Sequence, residues 1–401
     1  MAKKAYIGVG GVARKIKKGY IGVSSVARKI KKAYIGVGGV ARPFWSSGLE
    51  YYGAVTPLSE GRSGLAAAST QNHAYFACGR ISGGTGTAIS YFSKVIDVYD
   101  RVLTRTSLNL SNMVIAGTET STSLNPREFL SGAAVNNTAI FAGGQRGTSF
   151  HNDVFAVTSS TLSRVPSGQY MQSNAASHAT TAIGNHVIFA NGIGADKAYY
   201  RTVEAYDSSL TKTTCTTTAK TEAYRAATTV GNYAIIAGGV YGNAGDTYDT
   251  TIDVYDSSLT KITTGIALSV GRSKLSATTV NGNALFAGGT IYTTRQTVVD
   301  SYNTSLTHST SVAPLSDARM NIPAVTMKDV ALFLGGEITG TPYYSSAVDA
   351  YDENLVKVEV RQLSESRYSH AVATVGDFVL VGGGGTESGT FSSSVEAYVY
   401  S

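Results

Sequence analysis

The sequence predicts an all-β chain: a seven-bladed β-propeller preceded by an arm of β-hairpin repeats. Three observations lead there. An apolar run closing on a glycine doublet recurs seven times, ending at residues 79, 144, 192, 239, 289, 336 and 384. A second marker follows each doublet, in the forms VIDVYD, DVFAV, VEAYD, IDVYD, VDSYN, VDAYD and VEAYV. Short strands with glycine punctuation at a period of roughly 50 residues are what radial β-repetition leaves in a sequence. The third observation is a separate repeat of 14 residues at the N-terminus.

The arm comes first, residues 1–44. Its copies are KKAYIGVGGVARKI from Lys3, KKGYIGVSSVARKI from Lys17 and KKAYIGVGGVARPF from Lys31. In each, a β-prone Tyr-Ile-Gly-Val run precedes a dipeptide and then Val-Ala-Arg. Gly10-Gly11 and Gly38-Gly39 suit a two-residue hairpin turn, which needs positive φ at both central positions; Ser24-Ser25 suits it less well. So short a segment with small side chains buries little core. The expectation is an assembly or anchoring module that pairs with other chains or with copies of itself through Tyr6, Ile7, Tyr20, Ile21, Tyr34 and Ile35. A solvated linker and a basic nucleic-acid tail are the competing readings. A signal peptide fits poorly, because the apolar stretch recurs in every copy.

The ring follows, residues 45–401. Each unit reads as four strands: an alanine- and threonine-rich strand a, strand b running into the glycines, strand c with the tyrosine, and strand d on the Ser-Leu-Thr-Lys stretch. Small residues on strand a fit a crowded central channel, and the glycines permit tight turning and close backbone approach. The last unit ends just after its strand c. The segment 49–56, LEYYGAVT, is placed to supply the missing outer strand and so to remove an open edge. One step between doublets is longer than the others and marks an insertion near 112–123, expected on the face that carries the b–c loops.

Charge divides the chain. Residues 1–48 hold eleven basic residues and no acidic one, whereas the remainder has 22 basic and 27 acidic residues. A cationic arm therefore joins a mildly anionic body, and the overall net charge of +6 implies no nucleic-acid surface on the ring. No apolar run reaches the ~18 residues of a membrane helix, so no membrane insertion is expected.

Enzyme chemistry finds little support. The six histidines have no metal-ligand spacing, and His178 and His370 occupy a place held by leucine or isoleucine in four other units, which reads as structural. The acid of the strand-c marker (Asp97, Glu204, Asp253, Asp300, Asp349, Glu396) recurs around the ring as a structural residue does. Cys78 replaces the first glycine of a doublet and Cys215 lies in a threonine-rich stretch; two cysteines make neither a disulfide framework nor a zinc site. The expectation is no enzyme, no metal and no cofactor.

With arginine, glycine doublet and tyrosine-acid pair in hand, the ring resembles the Kelch repeat. Arg62, Arg127, Arg272, Arg319 and Arg367 lie sixteen residues before the first doublet position; Ala175 and Glu222 replace the arginine in units three and four. The Kelch histidine survives only as His178 and His370, and the strand-d tryptophan is missing, since Trp45 is the only one. The resemblance implies a fold and leaves the partner open. The copper-radical chemistry known on such a ring needs a cysteine beside a tyrosine with histidine ligands, which the cysteine positions do not offer. The arm resembles short repeats of structural proteins of bacteriophages and prophages of Firmicutes-type bacteria, which implies a virion location, other virion proteins as partners and a homo-oligomeric assembly.

Binding is expected on the face carrying the b–c loops, rich in Gly, Ser, Thr and Tyr. Tyr91, Tyr199, Tyr200, Tyr241, Tyr248, Tyr292, Tyr343 and Tyr344 fall in them. Tyrosine on Gly/Ser-rich loops supplies rigid amphipathic contact area at low entropic cost. The function expected is a virion structural protein whose ring contacts a host-surface glycan or protein. A bacterial lectin or carbohydrate-active enzyme is the alternative, and an intracellular adaptor a third class.

Overall fold

A computed structural model describes residues 48–81, 88–112, 114–115, 125–242 and 247–400, together with the backbone of six strands between Tyr6 and Ser46. Those six strands form three separate antiparallel hairpins, Tyr6–Val9 with Val12–Lys15, Gly19–Val23 with Val26–Ile30, and Lys32–Val37 with Val40–Ser46. The registers set Val9 opposite Val12, Val23 opposite Val26 and Val37 opposite Val40, which leaves two residues for each connection. The connecting dipeptides Gly10-Gly11, Ser24-Ser25 and Gly38-Gly39 lie outside the described residues.

Seven blades follow, each built on four antiparallel strands, with a fifth added to blade 2. Blade 5 shows the pattern: Ser276–Val280 (a), Asn283–Ala287 (b), Val299–Asn303 (c) and His308–Ser309 (d), paired in that order. The inner strands Ala66–Ser69, Ser131–Val135, Ala179–Ile183, Ala226–Val230, Ser276–Val280, Ala324–Met327 and Ala371–Val375 each touch the next, and the seventh touches the first. The closing segment forms Leu49–Val55, antiparallel to Val395–Tyr400 as the outer strand of blade 7. Tyr99 of blade 1 donates its hydroxyl hydrogen bond to the Thr56 carbonyl at 2.8 Å, so the closure is tied on both sides.

Seven apolar clusters each span a pair of neighbouring blades. Between blades 4 and 5, for example, Ile235, Val254 and Leu268 meet Leu275, Phe286 and Tyr302. The core is thus a circle of interfaces, and no blade buries its apolar faces alone. The strand-c tyrosines complete each interface. Tyr255, Tyr302 and Tyr351 are buried and donate to the carbonyls of Thr216, Ala267 and Ala313 in the preceding blade's outer connection, at 2.6, 2.7 and 2.8 Å.

One expectation is corrected. The Ser-Leu-Thr stretch is a turn, and strand d begins at or near the basic residue after it. The cause is the last residue of strand c: Asp256 Oδ1 accepts from the backbone N–H groups of Ser258 and Thr260, both at 2.9 Å, and Leu259 takes φ of 64°. Asp100, Asp207, Asn303 and Asp352 make the same turn. Such Asx bonds outcompete a ladder for the local N–H groups. The insertion places Val114–Ile115 parallel to Thr161–Arg164, as a fifth strand at the outer edge of blade 2. An unpaired outer edge takes up a passing strand through its free backbone groups. Residues 116–124 lie outside the described residues.

Candidate functional site: the mouth of the central channel

The doublet glycines set the geometry at the end of strand b. The first position has φ of 57–72° in all seven blades and tolerates Cys78 and Asn191. The second has φ of 100–116° and is always glycine; non-glycine residues avoid that region. Its N–H donates to the next blade's backbone, as Gly239 to Arg272 O and Gly289 to Arg319 O, both at 2.9 Å. A Cβ at Gly289 would stand 2.7 Å from Ser273 O. The doublet is therefore where blades lock together.

Beneath it lies a buried guanidinium. In blade 5, Arg272 donates Nε to Gly288 O at 2.8 Å, Nη2 to Phe286 O at 3.0 Å and Nη1 to Asp300 Oδ2 at 2.9 Å. Arg62, Arg127, Arg319 and Arg367 likewise pair with Asp97, Asp153, Asp349 and Glu396. All five arginines have no exposed surface. In blade 4, where Glu222 takes the marker position, Arg225 supplies the group from three residues on. It donates Nε to Gly238 O at 2.7 Å, Nη2 to Ile236 O at 3.0 Å and Nη1 to Asp253 Oδ2 at 2.6 Å. Blade 3 does without a guanidinium: Lys212 Nζ and the Gln172 N–H hold Glu204, at 2.6 Å and 2.9 Å. The recurring acid is thereby engaged in every blade, Asp153 serving blade 2.

Two residues after the marker position, each blade places one residue at the channel mouth. These are Gly64, Phe129, Ser177, Tyr224, Lys274, Asn321 and Ser369, and all seven take left-handed backbone, φ 47–63°. For bulky residues this conformation is an outlier, of order 1–3 kcal/mol each, and such strain gathers at functional sites. Inter-blade backbone bonds hold it: Gly64 N–H to Ser369 O, Phe129 to Gly64, Ser177 to Phe129, Lys274 to Tyr224 and Asn321 to Lys274, at 2.9–3.0 Å except Phe129 at 2.8 Å. The mouth encloses about 540 Å³, within the usual range of ligand sites, ~300–1,000 Å³. Its floor includes Leu65, Leu130, Leu275 and the buried rings of His178 and His370. A narrower space continues down the channel between small inner-strand residues such as Ala67, Gly132 and Ala227.

Electrostatically the mouth is lined by Lys274, by Arg225, whose guanidinium is already paired with Asp253 and Glu222, and by the carboxylate of Glu337. Lys274 Nζ sits over the Tyr224 ring, 5.1 Å from its centroid, and pairs with no described carboxylate. Glu337 receives a hydrogen bond from Asn321 Nδ2 on Oε1 at 2.7 Å. Burial pushes the His178 ring down to about 4 and His370 well below the ordinary histidine range, so both are neutral floor residues. Burial pushes the Cys78 and Cys215 thiols up to about 11, which leaves them protonated. Among the described residues no group of three or more His, Cys, Asp or Glu side chains could hold a metal ion.

The tyrosines singled out in the loops stand farther from the axis, and none lines the cavity. Tyr343 and Tyr344 come together, 6.5 Å apart, and Tyr344 stacks on Tyr368 of the mouth at 4.2 Å. Tyr248 and Tyr292 meet edge to face at 5.0 Å. Tyr241 carries Lys220 Nζ over its ring at 4.6 Å. Tyr199 bridges Ile193 and Tyr200 bridges Glu222 within the loop framework of blades 3 and 4. Tyr91 closes a short 3-10 turn in blade 1, away from these pairs. Tyr292 and Tyr343 are the exposed members, at 68% and 56%. Phe129, Tyr224, Lys274, Asn321 and Tyr368 were not among the expected residues. The sequence signal for them is weak: at that offset from the marker the repeats hold Gly, Phe, Ser, Tyr, Lys, Asn and Ser.

Fold and site together define a seven-bladed β-propeller with a central mouth of mixed polar and apolar lining. No protein-family model matches the chain, and no curated protein matches it.

Proposed function

We propose that the chain is a non-enzymatic recognition protein of a phage or prophage particle. The basic hairpin arm joins it to other virion proteins, and the ring presents its loop face to a glycan or protein of the host surface. One observation carries the recognition half: from seven equivalent left-handed backbone positions, six side chains of five kinds (Phe129, Tyr224, Lys274, Asn321, Ser177 and Ser369) surround one mouth, with Gly64 at the seventh. A scaffold that repeats its packing residues and varies the side chains around one cavity is suited to select a ligand. The arm half is supported by the charge division of the sequence, by the three hairpins with separate pairing, and by the phage-like wording of the repeat. The test is deletion of residues 1–43. The truncated ring should keep a cooperative melt and disappear from assembled particles; incorporation at normal levels contradicts the anchoring role.

A free lectin or carbohydrate-active enzyme is the second reading, favoured by the Glu337 carboxylate on the cavity wall. Turnover of an oligosaccharide that is lost in Glu337→Gln would establish it.

A further inference from the structure

We infer that the central mouth binds the terminal unit of a neutral oligosaccharide, whose following units run outward past the edges of Tyr368 and Tyr344 to the exposed ring of Tyr343. The inference rests on the recognition role proposed above and names its ligand class.

The lining selects the class. Phe129 is 38% exposed at the rim and leans across the bare backbone of Gly64, where a Cβ would come within 3.3 Å of its ring. It offers an open aromatic face, which suits the C–H face of a pyranose. Across the ring from it stand Lys274, Asn321 and Glu337, which offer donor, amide and acceptor groups together. Asn321 fixes one oxygen of Glu337 and leaves the other for a ligand. Lys274 is held over Tyr224 with its ammonium protons unspent on any described carboxylate. A sugar hydroxyl donates and accepts at once, so a vicinal pair of hydroxyls can satisfy the cation and the carboxylate together. A phosphate or uronate would gain Lys274 and be opposed by Glu337. An apolar peptide side chain would strip both charges of water without replacing their partners, which costs about 1–3 kcal/mol or more for each group.

The exit path is equally specific. Tyr368 packs against Gly385, where a Cβ would fall 2.2 Å from its ring. Tyr344 stacks on it, and its backbone N–H is anchored to Glu387 at 2.7 Å. Tyr343 continues the line into solvent. This track leads from the cavity edge to the outer face over blades 6 and 7, as successive sugar rings of a chain require.

The test uses the full chain on a printed panel of neutral hexose and N-acetylhexosamine oligosaccharides beside sialylated, uronic-acid and phosphorylated ones, followed by calorimetry. Neutral glycans should bind, and Phe129→Ala should weaken them roughly tenfold or more, with Phe129→Tyr restoring binding. Lys274→Met should cost a similar factor of about ten. Tyr343→Ala should leave disaccharides unaffected and weaken tetrasaccharides about threefold to tenfold. Thermal melts of the variants separate lost binding from lost folding. Neutral glycans bound with affinity indifferent to Phe129 and Lys274 would overturn the cavity and leave the recognition role standing. Preference for the anionic glycans, or no glycan bound while the ring still attaches to host cells, would overturn the ligand class. No attachment to cells or glycans at all would overturn the recognition role as well.

Discussion

In blade 5 the guanidinium that meets the strand-c carboxylate comes from Arg272; in blade 4 it comes from Arg225, and the marker position holds Glu222. The two side chains start three residues apart and end on equivalent partners: the first doublet carbonyl, a strand-b carbonyl and the strand-c acid. The fold therefore requires a donor at a place in space, and more than one sequence position reaches it. The blades differ in what surrounds that donor. Arg225 also lies 3.2 Å from Glu222, which is itself buried, whereas Arg272 pairs with Asp300 and with no second carboxylate among the described residues. Burial pushes the Glu222 carboxyl up to about 8, against the pull of Arg225 and with the neighbouring Asp249 raising it further. Blade 4 obtains its donor together with a surplus buried acid.

The largest effect that sharpens the comparison is removal of the donor. Arg225→Leu and Arg272→Leu should each destabilise by about 3–5 kcal/mol, because each strands a buried carboxylate; urea melts check this, and a loss below about 1 kcal/mol for either would break the equivalence. Glu222→Gln is next. Its folded pKa is raised, so the native state retains a proton that the unfolded state releases, and stability falls as pH rises from about 4.5 to 8. The variant should abolish that slope and gain about 2–3 kcal/mol by pH 8, at about 1.4 kcal/mol per pKa unit with part of the proton shared with Asp249. Melting temperatures across pH 5–9 read it out; a slope unchanged in the variant contradicts it.

His178→Leu follows, restoring the residue type of blades 1, 2 and 5. A neutral buried histidine with a depressed pKa loses stability as pH falls from 6.5 toward 4, because only the unfolded state takes the proton. The variant should be about 2 kcal/mol more stable than the parent at pH 5 and close to it at pH 8. Equal stability at pH 5 would count against the burial argument. The smallest effect is the exchange Glu222→Arg with Arg225→Leu, which rewrites blade 4 in the pattern of blade 5. It should recover all but about 1 kcal/mol of what Arg225→Leu alone removes.

The same comparison explains what the sequence shows and what it hides. Repetition made the seven blades, the doublets and the strand-c tyrosines legible, because every blade solves the same packing problem and spells it similarly. The closing segment was legible for the same reason: 49–56 stands before its successor as an outer strand stands before the next blade. Arg225 was hidden because an offset of three residues breaks register in the sequence while side-chain length repairs it in space. The Ser-Leu-Thr turn was misread as strand because its cause, an Asx bond from the strand-c aspartate, is a local competition that β-propensity does not register. At the mouth, Phe129, Tyr224 and Lys274 were passed over for loop tyrosines because composition points to aromatic loops. Only the coincidence of left-handed backbone with chemical variety singles out the lining positions.

Closure of the ring by its own first strand underlies the placement of the arm and of the binding face, and hydrogen exchange tests it most directly. The Leu49–Val55 amides that pair with Val395–Tyr400 should exchange only with global unfolding, at the same free energy as the inner strands. Exchange of that strand at unprotected rates, while the inner strands stay protected, would contradict the closed ring.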